Sequence, residues 1–327
     1  MGTQRSIARR SRVAVVAGGS RGLGLLVALD LARRGWSVAV CARGEDGVAH
    51  AVRRLDGAAR RGAAMRGAVY DVGDADAVAA WIADVEDELG PIDAAFSVAG
   101  VMDVGPAETM RIADFDQAID VMLRGPIHLA WAVLPGMRAR RRGRIGVVTS
   151  IGGIVSVPHL LPYSAAKAGA VGFTEGLAAE LAGTGVSATT IVPGLMRTGA
   201  HEVARFRGRR SAELAWFSAG ASLPIVSTSA ERAARRMVEG VLAGRPHVRV
   251  PWWIHVAMRV HGLAPSTTVR AAGLAGRLLP SAGRSPDGPA EGGTVPRSPV
   301  VAALTVLGTR AAQRLGTRVD REGDGRS

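Results

Sequence analysis

One glycine-rich segment near the start of the chain limits its fold more than any other feature. The apolar run Val13–Ala17 leads into a glycine-rich turn, and an apolar helical pattern follows at once. This order predicts a strand, a tight loop and a helix, in which Gly18 and Gly22 permit the turn and Gly24 lets the helix pack closely. Free N–H groups at the start of such a helix, together with its dipole, favour a bound pyrophosphate.

The same rhythm continues along the chain, because apolar runs alternate with helical patterns up to residue 192. The sequence predicts strands at 13–17, 37–41, 63–70, 94–98, 145–150 and 187–192, and a long helix at 112–140. Such alternation predicts an α/β fold, a doubly wound (Rossmann) parallel sheet in a single domain with a C-terminal helical extension. A ligand is expected at the carboxyl ends of the strands.

Three side chains further along the chain suit proton transfer to a carbonyl. Tyr163 and Lys167 are four positions apart, so on a helix they share one face. A phenol is a weak acid with a pKa of about 10, and a nearby lysine cation would lower that pKa. Ser150, upstream, would hydrogen-bond the substrate oxygen. We therefore predict Ser150, Tyr163 and Lys167 as the catalytic residues.

With both motifs present, the chain resembles the short-chain dehydrogenase/reductase family, in its ordinary non-extended branch. The resemblance covers residues from about 12 to 199 and continues more loosely to about 280. It implies an NAD(P)-dependent enzyme that transfers hydride between a nicotinamide and a CH–OH or C=O group. In reduction, the resemblance implies that Tyr163 donates the proton and that Lys167 also contacts the nicotinamide ribose.

The end of the second predicted strand indicates the cofactor. An acidic residue there would bind the ribose diol and repel a 2′-phosphate, but this chain has Ala42 followed by Arg43. Arg21 in the glycine loop is a second cation, and two guanidinium groups can bind a phosphate. The sequence therefore favours NADP(H) over NAD(H). The predicted cofactor contacts are Gly18, Ser20, Arg21, Gly22, Leu23, Gly24, Arg43, Asp71, Val72, Ala99, Gly100, Tyr163, Lys167, Pro193, Gly194 and Thr198.

The chain departs from the family pattern on the long central helix. Met122 occupies the position of an asparagine that helps to hold a water connecting the lysine to solvent, and methionine bonds water poorly. Two hypotheses follow. The protein is an enzyme whose relay water is held by a backbone carbonyl, or it is an NADP(H)-binding sensor or scaffold with little turnover. Retention of Ser150, Tyr163 and Lys167 favours the enzyme.

Substrate identity is mostly hidden in the sequence. Apolar residues after the catalytic serine and in the expected flap suggest a pocket for a lipophilic ketone, aldehyde or alcohol, although each of them would also serve as packing. The predicted substrate contacts are Ile154, Leu160, Leu195, Phe206, Trp216 and Phe217. His159 could line this pocket, but a surface position is the favoured interpretation. The histidines show no metal-ligand grouping, so no metal is predicted.

Charge and cysteine content bear on partners and compartment. The net charge is +13, yet aromatics are only 4% and no nucleic-acid-binding module is recognisable, so no nucleic-acid partner is predicted. An anionic membrane surface is the better candidate for so basic a chain. A single cysteine, Cys41, excludes an internal disulfide and favours the cytoplasm. The chain has no run of about eighteen apolar residues, so no membrane span is predicted.

The predicted organisation has five parts. A basic lead (1–11) precedes the dehydrogenase domain (12–250), whose substrate flap covers about 196–225. After this domain come a basic, aromatic helical extension (251–280), a linker (281–299) and a short amphipathic helix with a disordered tail (300–327). Residues 251–261 fit either peripheral membrane contact or a partner subunit. The resemblance implies a homodimer or homotetramer through the central helix and the Tyr163 helix. On the latter, small residues would permit close approach: Ala165, Ala166, Ala168, Ala170, Gly172 and Gly176.

Overall fold

The computed structural model describes residues 11–197, 199–222, 228–283, 288–296 and 312–316. Its strands are β1 Val13–Ala17, β2 Ser37–Ala42, β3 Met65–Val69, β4 Ile92–Ser97, β5 Asp103–Val104, β6 Gly143–Val148, β7 Val186–Pro193, β8 Met196–Arg197, β9 Arg205–Phe206, β10 Thr228–Ser229, β11 His247–Val250 and β12 Ala290–Glu291. Seven of them form one parallel sheet in the order β3-β2-β1-β4-β6-β7-β11. This arrangement confirms the predicted doubly wound fold.

Helices connect the strands and cover both faces of the sheet. They are α1 Gly22–Arg33, α2 Glu45–Asp56, α3 Ala75–Leu89, α4 Ile112–Ile119, α5 Gly125–Ala139, α6 Leu161–Glu180, α7 Ala200–Val203, α8 Arg210–Ser222, α9 Ala230–Leu242, α10 Trp253–Leu263 and α11 Pro265–Gly276. The helix predicted over 112–140 is divided into α4 and α5 by a π-helical turn, Asp120–Arg124. Helices α10 and α11 form the predicted C-terminal helical extension.

The central strand β1 shows how the sheet is buried. Its side chains alternate between the two faces: Val15 packs in the core that contains Trp81 of α3, and Val16 packs in the core that contains Met237 of α9. All five residues of β1 are at most 2% exposed. A parallel sheet buried on both faces selects apolar, β-branched strands, which is the pattern that the sequence displays.

The sheet brings distant loops to one edge. Because its strands run parallel, the segments after β1, β4, β6 and β7 all emerge at the carboxyl edge. These segments carry Gly18, Ala99, Ser150 and Gly194 respectively. The two motifs recognised in the sequence are therefore neighbours in the fold.

A small second sheet lies beside this edge and differs from the sequence interpretation. Strand β12 falls within the predicted linker 281–299, and it pairs antiparallel with β9, which in turn pairs with β5. Two ion pairs with buried carboxylates lie at this sheet, with Arg205 2.5 Å from Asp103 and Arg207 2.5 Å from Asp114. Pairing between residues so far apart in sequence leaves no local pattern.

Two predicted segments lie largely outside the described part of the chain. These are residues 1–10, and residues 300–327 apart from 312–316.

We expect Gly24→Ala to destabilise the protein by roughly 1–3 kcal/mol, because the added methyl would overlap the carbonyl oxygen of Gly18. Gly273→Ala is the matched control, since it changes an exposed helical glycine with no atom near the added methyl. That control should be neutral or stabilise by up to about 1 kcal/mol. Urea unfolding of both variants measures the difference, and equal effects would contradict the packing role of Gly24.

Candidate active site

The three predicted catalytic side chains lie together at the carboxyl edge. Ser150 begins a 3-10 turn, and its Oγ accepts a hydrogen bond from the Gly152 N–H at 3.0 Å. Tyr163 and Lys167 lie one turn apart on α6, and the Lys167 Nζ is 6.0 Å from the centre of the Tyr163 ring. Lys167 is 4% exposed and Ser150 9% exposed. Such burial strengthens electrostatic interactions within the group.

The buried lysine is held by the backbone. Its Nζ donates a hydrogen bond to the Val148 carbonyl oxygen at 2.6 Å, at the end of β6. Burial disfavours the charged amine and lowers the pKa of Lys167 to about 8. At neutral pH, which is below that pKa, Lys167 is therefore an ammonium beside the ring of Tyr163.

The pKa of Tyr163 differs in direction from the sequence expectation. Burial raises the pKa of the phenol, and a hydrogen bond with Ser150 opposes that effect in part. The sequence predicts a lowered pKa for Tyr163, because the spacing reveals a nearby lysine cation. Spacing does not reveal that the phenol is buried away from solvent, which is the larger effect here. The site therefore keeps its phenol protonated, as a proton donor requires.

The glycine loop between β1 and α1, which we call the glycine cradle, is shaped by two glycines with positive φ. Gly18 has a φ of +83°, and a side chain there would overlap the backbone of Ala99. Gly22 has a φ of +56°, and nothing lies within 4 Å of the position that a side chain would take. Helix α1 begins at Gly22 without a side-chain cap. The left-handed glycines and the uncapped helix start fit the predicted pyrophosphate contact.

A segment near the C-terminus contacts the same cradle. The Gly22 N–H donates a hydrogen bond to the Leu315 carbonyl oxygen at 3.0 Å, and Leu315 is 3% exposed. Arg54 of α2 donates to the Arg314 carbonyl at 2.8 Å. A side chain on Gly199 would overlap Ala312. Residues 312–316 thus satisfy a donor that the sequence assigns to a cofactor phosphate.

The predicted adenosine side lies across the loop ends of β2 and β3. Arg43 Nη1 is 4.0 Å from the Asp71 carboxylate, and both side chains are about half exposed. Asp71 also accepts a hydrogen bond from the Gly73 N–H at 2.9 Å. Val72 is buried, 7% exposed, against Gly125 of α5. Thr198, another predicted contact, lies outside the described residues.

Met122 occupies the π-helical turn on the central helix. Its side chain is fully buried, and its sulfur is 3.6 Å from the position of a side chain on Gly100. A π turn inside an α-helix often marks a functional position. In this protein the π turn places the thioether of Met122 in the core. The amine of Lys167 bonds the Val148 carbonyl oxygen.

The flap brings most of the predicted substrate contacts together. Phe206, Trp216 and Phe217 form a chain of edge-on aromatic pairs with ring centres 5.8 and 5.9 Å apart. Leu160 and Tyr163 pack in the same cluster, whereas the predicted contacts Ile154 and Leu195 lie outside it. Phe206 is fully buried, so it supports the wall of the site from behind.

Sequence reasoning missed Glu213 and placed its partner, His159, on the surface. His159 Nδ1 is 2.9 Å from Glu213 Oε1, and Trp216 Nε1 donates to Glu213 Oε2 at 2.6 Å. Glu213 is fully buried, and the His159 side chain is only 13% exposed, so the surface position favoured from the sequence is wrong. No sequence signal distinguishes Glu213 from a solvated carboxylate on α8. In the described residues, no group of three or more His, Cys, Asp or Glu could hold a metal.

Comparison with known proteins decides the family. The family described as short chain dehydrogenase matches residues 12–206. This chain belongs to the short-chain dehydrogenase family. The short-chain dehydrogenase is therefore an NAD(P)-dependent oxidoreductase, which confirms the predicted family and enzyme class.

Two curated relatives and one solved structure illustrate its relationships. An acetoacetyl-CoA reductase of Paracoccus denitrificans is 37% identical over 188 residues, 58% of this chain and 75% of the relative. A 3-oxoacyl-acyl-carrier-protein reductase of Vibrio harveyi is 34% identical over 187 residues, 57% of this chain and 74% of the relative. The crystal structure of an actinorhodin polyketide ketoreductase variant with NADPH is 28% identical with a TM-score of 0.64, covering 75% of this chain and 97% of that one.

We expect the kcat/KM of this short-chain dehydrogenase for carbonyl reduction to fall about tenfold between pH 7 and pH 9. The pKa of Lys167 is about 8, so raising the pH through that value removes the ammonium that stabilises the developing phenolate. A pH profile measures this fall. The matched variant Lys167→Arg does not titrate in this range and should lose the alkaline fall at whatever rate remains. A profile that stays flat to pH 9 in the unmodified protein would contradict the role of Lys167.

We expect deletion of residues 312–327 to strengthen NADPH binding by about 2- to 10-fold, the equivalent of one net hydrogen bond. The deletion frees the Gly22 N–H from the Leu315 carbonyl. Fluorescence titration with NADPH measures the dissociation constant. Deletion of residues 317–327 alone is the control, because it retains the Leu315 contact. Weaker binding in the longer deletion would show that the segment supports the cradle instead.

Proposed function

We propose that this short-chain dehydrogenase interconverts a lipophilic ketone or aldehyde and its alcohol, with NADP(H) as the cofactor. The observation that carries the proposal is the grouping of Ser150, Tyr163 and Lys167 beside the glycine cradle. The names of the curated relatives, both reductases of keto compounds, support reduction of a keto group.

The chemistry of each residue follows from its surroundings. Bound NADPH supplies the hydride for the carbonyl carbon. Tyr163, kept protonated by burial, donates its proton to the forming alkoxide oxygen. Ser150 donates a hydrogen bond to the same oxygen. Lys167 stabilises the phenolate that remains, and the Val148 carbonyl fixes its amine.

The preference for NADP(H) rests on charge at the end of β2. Ala42 leaves no carboxylate to repel a 2′-phosphate, and the exposed Arg43 follows it. The exposed Arg21 lies on the glycine loop. The solved structure with NADPH supports the same choice.

The lipophilic substrate class rests on the lining around Tyr163. Leu160, Trp216 and Phe217 are apolar neighbours in its cluster. The contact between His159 and the buried Glu213 joins the flap helix α8 to the loop that precedes α6, and the bond from Trp216 holds the Glu213 carboxylate within α8. A fixed apolar wall favours a carbonyl carried on an apolar group.

A second candidate is an NADP(H)-binding sensor with little turnover. The observation that favours it is Met122, which is fully buried and gives the relay position no polar atom that bonds water well. In this alternative the proton of Tyr163 is replaced slowly. Substitution of Met122 by asparagine separates the two functions.

The assembly belongs to the same proposal. Trp131 of α5 is 60% exposed, and its ring centre is 6.2 Å from that of Phe173 of α6. Gly172 and Gly176 lie nearby with open space above them. An exposed tryptophan beside small residues suits the close contact of a homodimer or homotetramer. We also propose cytoplasmic placement, from the single cysteine, with peripheral membrane contact through residues 251–261.

We expect the purified protein to oxidise NADPH with lipophilic ketones, aldehydes or acetoacetyl-CoA, and Tyr163→Phe to reduce that rate at least about 100-fold. Absorbance of NADPH measures the reaction. NADPH binding without turnover on any of these substrates would contradict the reductase. Recovery of turnover in Met122→Asn would then support the sensor, because the asparagine restores the relay.

A further inference from the structure

The C-terminal helical hairpin, formed by α10 and α11, is unusually exposed. Helix α11 has no buried residue, and α10 has only Ile254. Of the eleven large hydrophobic residues exposed in the described part of the chain, seven lie on or beside this hairpin. They are Trp252, Val256, Val260, Leu263, Val269, Leu274 and Leu278. An exposed apolar surface of this extent marks an interaction site.

The charge of the hairpin is of one sign. Residues 240–286 contain six arginines and no aspartate or glutamate. Three of the arginines, Arg259, Arg270 and Arg277, are exposed on the hairpin itself. Such a combination of apolar and cationic side chains is complementary to an anionic lipid surface.

A second copy of the chain fits this face less well. A two-fold contact would place two sets of arginines against each other with no carboxylate between them, at a Coulombic cost. Among the described residues, no helix is long and apolar enough to cross a membrane. The charge and the length of the hairpin therefore favour contact with the surface of a bilayer.

The hairpin also adjoins the active-site loops. Side chains on Gly194 and Gly276 would meet Trp253 and Pro158 at 2.9 and 3.3 Å, so the hairpin packs on the turn after β7 and on the loop that precedes Tyr163. An apolar groove of about 420 Å³ lies between the hairpin and Val155 of the active-site loop. It is lined by Val155, Trp252, Trp253, Val256, Ala257, Val260 and Thr268.

We propose that the α10–α11 hairpin docks this protein on an anionic lipid bilayer, with its apolar groove facing the lipid. Trp252, Val256, Val260 and Leu263 enter the headgroup region, and the exposed arginines bind lipid phosphates. Because the groove reaches Val155, in the segment that follows Ser150, it offers a membrane-dissolved carbonyl compound a path toward the catalytic loop. That path rests on the proposed reductase, and the docking specifies the peripheral membrane contact proposed above as contact with anionic lipid.

Flotation of the full chain with phosphatidylcholine vesicles, with and without phosphatidylglycerol, tests the docking without cofactor or substrate. We expect binding only to the anionic vesicles. The triple variant R259Q/R270Q/R277Q should bind on the order of 100-fold more weakly, at about tenfold or less per arginine. The control R33Q/R61Q/R138Q removes the same charge from exposed positions outside the hairpin and should bind nearly as the unmodified protein does.

The apolar face has its own variant pair. Leu263→Asp should abolish binding to anionic vesicles, whereas Ile112→Asp, at an exposed aliphatic residue of α4, should not. Absence of binding by the unmodified protein, or equal losses in hairpin and control variants, would overturn the proposal. So would a Leu263→Asp variant that turns an oligomer into a monomer in sedimentation velocity, because the face would then be a contact between copies. Since vesicle binding needs no turnover, its failure is separate from a failure of the reductase assay.

Discussion

Burial of a parallel sheet on both faces is the constraint on which the rest of this structure depends. Each strand of the sheet must be apolar on both sides, and each pair must be joined by a crossover that packs a helix on one face. The consequence is that the loops after β1, β4, β6 and β7 emerge together. The glycine cradle at Gly18, the loop that bears Ser150 and the turn at Gly194 are neighbours for that reason alone.

Burial also sets the chemistry at this edge. Lys167 is enclosed with a backbone carbonyl as its hydrogen-bond acceptor, and its pKa is lowered to about 8, while the pKa of Tyr163 is raised. These opposite shifts move the two pKa values apart, so the phenol still holds its proton at a pH where the amine has begun to lose its own. Met122, buried in the π turn, places an apolar side chain where the resemblance predicts an asparagine.

The part of the chain that follows β7 is built onto this core. Strand β12 completes the small sheet, Glu213 fixes the flap, and the hairpin packs on Gly194. Residues 312–316 reach back to the first turn of α1. These parts combine buried polar contacts with a cationic, apolar exterior, so the elements that shape the substrate side also form the surface that we assign to lipid.

The sequence by itself determined the sheet and its motifs, because strand burial, helical spacing and glycine turns are local patterns. It predicted that Ser150, Tyr163 and Lys167 act together, and the structure brings these three side chains to one edge of the sheet. Only the tertiary structure decided the pKa direction of Tyr163, the Glu213 contacts, the pairing of β12 with β9 and the bond from Gly22 to Leu315. Each of these depends on solvent exclusion or on contacts between residues far apart in the chain, and neither leaves a periodic signal in the sequence.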